Sequence, residues 1–209
     1  MNTLFYASGA SSLSVHILLS KSQLPYTLIP VDLDNHTSVL GDYHKLNPKN
    51  YVPALQTDSG QFLTECAVIL EYISQKSPLP LMADYATETY WQQRMWLNYI
   101  ATELHKNFIS PFRKGNWLPN TSKSQKLVYS RVLPRLIYVD QALTNQQFLV
   151  NNRFSAPDAY LFAMTNWCRR LEFPLDDLPN LKCFDQYLRT DSDIQRVLAK
   201  EGRPHSLKV

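Results

Sequence analysis

The chain has 209 residues, with 21 Lys and Arg against 18 Asp and Glu, a formal charge of +3. At 44% hydrophobic and 12% aromatic it has the apolar share of an ordinary folded protein, which excludes disorder. The small charge gives no argument for nucleic acid, and no apolar run approaches the roughly 20 residues that span a bilayer.

The chain opens on Thr3-Leu4-Phe5-Tyr6, a short strand-like run. No basic segment with an apolar stretch precedes it, so no secretory leader is expected. The small residues of 7–12 read as a loop turning into a helix with serine caps. Leu13, Ile17 and Leu18 give that helix one apolar stripe, and Leu24-Pro25 stops it. Residues 26–33 form a second strand. The polar stretch 34–50, with Gly41 and Pro48, reads as an irregular connection with at most one helical turn. Residues 52–56 are a third strand, Asp58-Ser59-Gly60 signals a hairpin turn, and 61–63 return as a fourth. Thr64 is placed to cap a helix lined by Ala67, Leu70 and Ile73.

Ser77-Pro78-Leu79-Pro80 breaks this pattern, which divides the chain into an α/β domain of 1–76, a linker of 77–86 and an all-helical domain of 87–209. In the latter, Leu97, Ile100, Leu104 and Phe108 sit at helical spacing before Pro111. Val128, Val132, Leu136, Val139 and Leu143 repeat the period, with a kink expected at Pro134. Ser155-Ala156-Pro157-Asp158 combines a cap, an early proline and a first-turn acid, a strong helix start. Shorter helices follow over 181–188 and 194–198. Cys66, Cys168 and Cys183 are odd in number and widely spaced, which suits neither a disulfide framework nor a zinc site. The last two read as core residues. A soluble, metal-free protein of a reducing compartment, the cytoplasm, is expected.

Several segments are familiar in order and spacing. Gly9-Ala10-Ser11-Ser12-Leu13-Ser14 with His16 resembles the first loop and helix of the bacterial beta-class glutathione S-transferases. Asn47-Pro48-Lys49-Asn50-Tyr51-Val52-Pro53-Ala54-Leu55 resembles that class's segment around its cis-proline, and Leu63-Thr64-Glu65-Cys66-Ala67 its next helix start. Residues 96–106 resemble its long helix, and 154–162 its capped helix. The resemblance implies a thioredoxin-like α/β N-terminal domain that binds glutathione, an all-α C-terminal domain, a homodimer, and no nucleic-acid or membrane partner.

Glutathione is an anionic tripeptide with a thiol of pKa near 8.5, so only a few per cent is thiolate at neutral pH. Lowering that pKa by two units takes about 2.7 kcal/mol of preferential thiolate stabilisation. An exposed helix N-terminus supplies about 0.3–1 kcal/mol, and a hydrogen bond to a charged group about 1.5–3 kcal/mol. A single hydroxyl at the mouth of the first helix therefore covers most of the requirement. Ser11 and Ser12 stand there and equally suit ordinary helix caps. The class usually carries cysteine where this chain has Ser11; a serine cannot form a mixed disulfide with glutathione, so thiol–disulfide chemistry is expected to be lost. Tyr6 reads as packing and His16 as structural.

By the same resemblance, a cis Val52-Pro53 bond would let Val52 pair strand-like with the tripeptide backbone, with Tyr51 beside it. The first turn at Glu65-Cys66 would hold the γ-glutamyl end, although Glu65 also fits a first-turn acid answering the helix dipole. His105 would approach the sulfur from the helical domain as a hydrogen-bond donor. Asn98 and Glu103 match positions that touch glutathione directly or across a dimer interface. The lysine that the class carries after its second strand is missing, and His36 is the nearest substitute. Phe108, Phe112 and Trp117 are candidates for the wall of an electrophile pocket; Lys106, Arg113 and Lys114 read as a solvated basic face. The implied activity is conjugation of glutathione to small hydrophobic electrophiles. The alternative is a noncatalytic member of the same fold that binds glutathione or a stress- or transcription-associated partner.

Overall fold

A computed structural model of the chain describes residues 1–108 and 117–202. Its first part is a mixed six-stranded sheet in the order β4-β3-β2-β1-β5-β6. β1 (Asn2–Tyr6) and β2 (Tyr26–Asp32) run parallel, Leu4 opposite Leu28, joined across the sheet by α1 (Ser12–Lys21). On the other side of β1 lies antiparallel β5 (Ala54–Gln56), with Leu4 opposite Leu55, and β6 (Phe62–Thr64) returns beside it. Gly60, at φ +84°, supplies the left-handed residue that this hairpin turn needs. α2 (Cys66–Lys76) follows directly.

The polar connection is more ordered than its sequence suggests. β3 (Thr37–Ser38) and β4 (Gly41–Asp42) extend the sheet beyond β2, and a 3₁₀ turn follows at Tyr43–Lys45. Tyr43 is fully buried in a small cluster with Phe5 and Ala54. That buried aromatic, not a periodic pattern, holds the segment down.

Two expected caps take other forms. Ser11 occupies the cap position of α1 with helical φ −62° and ψ −16°, and its hydroxyl bonds no helix N–H. The turn has already begun, since Leu13 donates to the Ala10 carbonyl and Ser14 to that of Ser11. Thr64 ends β6, and Glu65 takes the cap position of α2.

The second part is helical. α3 (Glu88–Tyr99) widens into π-helical turns at Ile100–His105 and closes with one α turn, Lys106–Phe108. The 97–100–104–108 spacing predicts an undisturbed helix there, because the same apolar residues serve either winding. Pro111 lies outside the described residues. α4 (Ser122–Ala142) continues through Pro134. α5 (Ala156–Arg170) has the expected start: Asp158 accepts from the Ser155 N–H and hydroxyl, both at 2.8 Å, and from the Leu149 N–H at 2.9 Å. α6 (Pro179–Thr190) and α7 (Ser192–Glu201) follow. α1 is buried from Ser12 to Leu19 and packs against α2, α5 and α7, so it joins the two parts through a common apolar core. Cys168 belongs to that core, but Cys183 is exposed, on the outer side of α6. Among the described residues no helix is long and apolar enough to cross a membrane, and no group of three or more His, Cys, Asp or Glu could hold a metal.

Candidate functional site

Three turns of the α/β part converge: the loop entering α1, the segment entering β5, and the β6–α2 junction. Ser11 is only 4% exposed, and its hydroxyl donates to the Val52 carbonyl at 3.5 Å, the outer limit of a hydrogen bond. The Val52–Pro53 peptide is cis. The approach to it is fixed by the Tyr51 carbonyl, which accepts from the Tyr43 hydroxyl at 2.9 Å and the Asn47 amide at 2.8 Å. The Tyr51 ring itself faces solvent.

Ser12 is used differently. It is fully buried, and its hydroxyl accepts from the Ala7 N–H and donates to the Ala7 carbonyl, both at 3.2 Å. The loop is gripped from its far side as well. Gly9 donates to the Glu201 carboxylate at 3.3 Å, and its carbonyl accepts from Trp167 at 2.8 Å and Arg170 at 2.6 Å. The other Glu201 oxygen lies 3.0 Å from Nδ1 of the buried His16, whose ring neighbours Tyr6. His16 and Tyr6 thus pack beneath the loop, as their sequence positions suggest.

Glu65 has φ +68° and ψ +115°, a left-handed backbone that costs an L-residue about 1–3 kcal/mol. Its exposed carboxylate pairs with Lys49 Nζ at 2.7 Å, and Lys49 also donates to Thr64 Oγ1 at 2.9 Å. Lys49 is thus a cation beside Glu65 that the missing class lysine did not foreshadow. His36 stands exposed between β2 and β3, beyond β2 on the side of the sheet away from β5 and β6. Cys66 is buried with Sγ 3.0 Å from Ser14 Oγ, and burial pushes its thiol pKa up to about 12, so it stays protonated.

The helical part faces these turns with His105, on the last π turn. Its Nδ1 lies 2.6 Å from the Tyr160 hydroxyl of α5, and the Trp167 ring meets it edge-on at 4.9 Å. Burial, then the neighbouring Lys106 charge, holds the imidazole pKa down to about 4; the Glu65 carboxylate opposes this. His105 is therefore neutral at neutral pH. The Tyr160 hydroxyl also neighbours the Cys66 thiol, whose pKa it lowers against the larger effect of burial, and so connects the two walls.

The remaining candidates are dispersed. Asn98 is exposed on α3. Glu103 is half-buried and held by Arg135, through Nε at 3.1 Å and Nη2 at 2.7 Å. Phe108 is core, in contact with Trp167 and Phe173, while Trp117 is 80% exposed. Lys106 faces solvent. Phe112, Arg113 and Lys114 lie outside the described residues. Tyr160, Trp167, Arg135 and Glu201 escaped the sequence reading because their partners are remote in the chain. The one available signal was Tyr160 itself, since a buried tyrosine usually finds a partner for its hydroxyl.

Comparison with known proteins agrees with this geometry. Residues 6–81 match the glutathione S-transferase N-terminal domain, and residues 96–189 the glutathione S-transferase C-terminal domain. The glutathione S-transferase GstA of Escherichia coli O157:H7 is 37% identical over 202 residues, covering 95% of this chain and 98% of that protein. Among solved structures, the ternary complex of BphK, a bacterial GST, superposes with a TM-score of 0.89 at 32% identity, covering 96% of this chain and 100% of that one. The bacterial beta-class glutathione S-transferase of Sphingomonas chungbukensis gives 0.89 at 29% identity, covering 96% and 98%. Both domain models and a relative matched nearly end to end agree: the chain belongs to the glutathione S-transferase family.

Proposed function

We propose that this protein conjugates glutathione, through its thiolate, to small apolar electrophiles, as a variant of the bacterial beta class with Ser11 in place of the usual cysteine. The observation that carries the reading is the convergence of Ser11 on the cis Val52–Pro53 segment, with Glu65 at the neighbouring helix start and His105 opposite. Val52 pairs with the tripeptide backbone. Glu65 holds the γ-glutamyl amine, and the Cys66 N–H at the start of α2 receives its carboxylate. The left-handed backbone of Glu65 supports this role, since such conformations persist where a site needs them. Residues 1–76 form the glutathione-binding domain, 77–86 the linker, and 87–209 the domain that brings His105.

Ser11 is the leading hydroxyl. Its hydroxyl bond to Val52, at 3.5 Å, is long enough to be exchanged for one to a sulfur, whereas Ser12 is committed to Ala7 on both sides. The thiol proton leaves to water. The sulfur lone pair forms the new S–C bond as the bond to the leaving group breaks, and that group departs with the electron pair. Stabilising the thiolate and holding the electrophile near it supply the rate. Tyr51, Asn98, Glu103 and His36 are secondary contacts; Glu103 would have to share Arg135 with a ligand.

Val68, Trp91, Met95 and Tyr138 are exposed on α2, α3 and α4, apolar surface that supports a homodimer. The protein would act in the reducing cytoplasm, where glutathione is available. The second reading, a binder without turnover, draws its support from the missing cysteine. A glutathione-affinity column and a conjugation assay with an aryl halide separate the two. Retention on the column with turnover that falls in Ser11→Ala and His105→Ala supports the transferase. Retention with no turnover leaves the binder, and no retention removes both. Sedimentation as a 24.2 kDa species alone would contradict the dimer.

A further inference from the structure

We infer that Tyr160 is a positioning residue that fixes the tautomer of His105, so that the ring presents Nε2–H to the glutathione sulfur. The inference rests on the role proposed above for His105. Its geometric basis is the 2.6 Å contact between the Tyr160 hydroxyl and His105 Nδ1. An O–H donor closes to about 2.7–2.8 Å, whereas an N–H donor settles near 2.9–3.0 Å, so the short distance makes the phenol the donor and Nδ1 the acceptor. A neutral imidazole that accepts at Nδ1 carries its proton on Nε2.

The surrounding polar groups leave the imidazole as the better acceptor for the Tyr160 proton. The Ser14 hydroxyl donates to the Ser11 carbonyl at 2.7 Å. With that proton committed, Ser14 Oγ is an acceptor for the Cys66 thiol, 3.0 Å away. The Tyr160 hydroxyl has one proton and two neighbours able to accept it, the Cys66 sulfur and His105 Nδ1; a thiol sulfur is a weak acceptor, so the proton goes to the imidazole nitrogen 2.6 Å away. Tyr160 is 1% exposed on α5, so no bulk water competes for its proton, and burial lifts its pKa well above the usual value. The edge contact with Trp167 holds the other side of the ring. The opposite tautomer would present a lone pair to the sulfur, which repels a thiolate and can only act as a base.

The difference is readable without turnover. In protein labelled with ¹⁵N-histidine, long-range proton–nitrogen correlation distinguishes the two tautomers, and His105→Ala identifies the His105 signals. Wild type is expected to show the Nε2–H form alone at neutral pH, and Tyr160→Phe to show a mixture. In parallel, Tyr160→Phe should lower kcat about ten-fold, the loss of roughly one hydrogen bond's effect on the barrier. KM for glutathione should stay within about two-fold, and the substitution should have no further effect in a His105→Ala background. An Nδ1–H tautomer in wild type, or an equal loss of kcat with and without His105, would overturn the inference. Should wild type show no conjugation, the proposed function fails at that point, while the nitrogen spectrum still decides the tautomer. Should Tyr160→Phe not fold, the wild-type spectrum decides it.

Discussion

The wall of the site formed by the α/β part is made of backbone. Its polar groups come from a cis peptide, a helix start and a loop, and the side chains there make long or solvent-facing contacts: Ser11 to Val52 at 3.5 Å, Glu65 to Lys49 in the open. The wall formed by the helices is made of side chains, with His105 braced by Tyr160 at 2.6 Å and by the Trp167 edge. The first wall has bonds that a ligand can replace at little cost; the second has bonds that a ligand should leave alone. A peptide ligand needs the former to dock, and a reacting sulfur needs the latter to meet a donor already in place.

The adjacent serines give the largest test of this division. Ser11→Ala should lower kcat about 10–100-fold, the equivalent of a charge-assisted hydrogen bond of roughly 1.5–3 kcal/mol, with little change in Tm. Ser12→Ala should do the reverse. It leaves the Ala7 N–H and C=O without their partner, and stability should fall by about 1–2 kcal/mol, seen in denaturant melts. If Ser12→Ala lowers turnover without a stability loss, or Ser11→Ala only destabilises, the assignment of the two hydroxyls is reversed. A third variant, Ser11→Cys, should restore a mixed disulfide with oxidised glutathione, visible by mass spectrometry.

How much of this was legible in the sequence follows the range of the interactions. The β-α-β and β-β-α orders, the break after Ser77 and the Ser155–Asp158 start rest on contacts within a few residues, and each is encoded locally. The β3–β4 hairpin is too short for any period to show. The π turns at Ile100–His105 use the same apolar spacing as a regular helix. Glu65 displaces Thr64 as the cap of α2 through its unusual φ, which residue type does not announce. The braces on the site join distant positions, 55 residues apart for His105 and Tyr160 and 16 for Lys49 and Glu65, where only the folded chain makes neighbours.

Glu65 tests the backbone wall from the side of stability. Glycine adopts a left-handed φ without the Cβ penalty. Glu65→Gly should therefore raise stability by about 1 kcal/mol, while glutathione affinity measured by calorimetry falls. A loss of stability would mean that the conformation carries no strain to release.

The side-chain wall has a pH signature. His105 is held down to about 4, below the ordinary 6.5. Between those values the unfolded chain takes up a proton that the native protein does not, so stability declines as pH falls from about 6.5 toward 4. Above 6.5 both states are neutral and the dependence vanishes. His105→Gln should flatten that decline by an amount on the order of 1 kcal/mol once solvent screening is allowed for. By the same logic His105 should add no step near pH 6.5 to the rate profile, whose acid limb should follow the bound thiol instead.

Lys49 gives the smallest effect and separates two kinds of contact on one wall. Its ion pair with Glu65 is solvent-exposed, and such pairs contribute about 0–1 kcal/mol. Lys49→Ala should therefore leave the melting transition within about 0.5 kcal/mol of wild type. Glutathione is anionic, however, and Lys49 is a cation beside Glu65, so in the binding mode proposed above it adjoins the γ-glutamyl end. Its removal should raise KM for glutathione about two- to three-fold at low ionic strength, with kcat unchanged, and the difference should shrink as salt rises. A fall in stability with no change in KM would mean that Lys49 serves the β6–α2 junction alone, and that the backbone wall holds its ligand without a compensating cation.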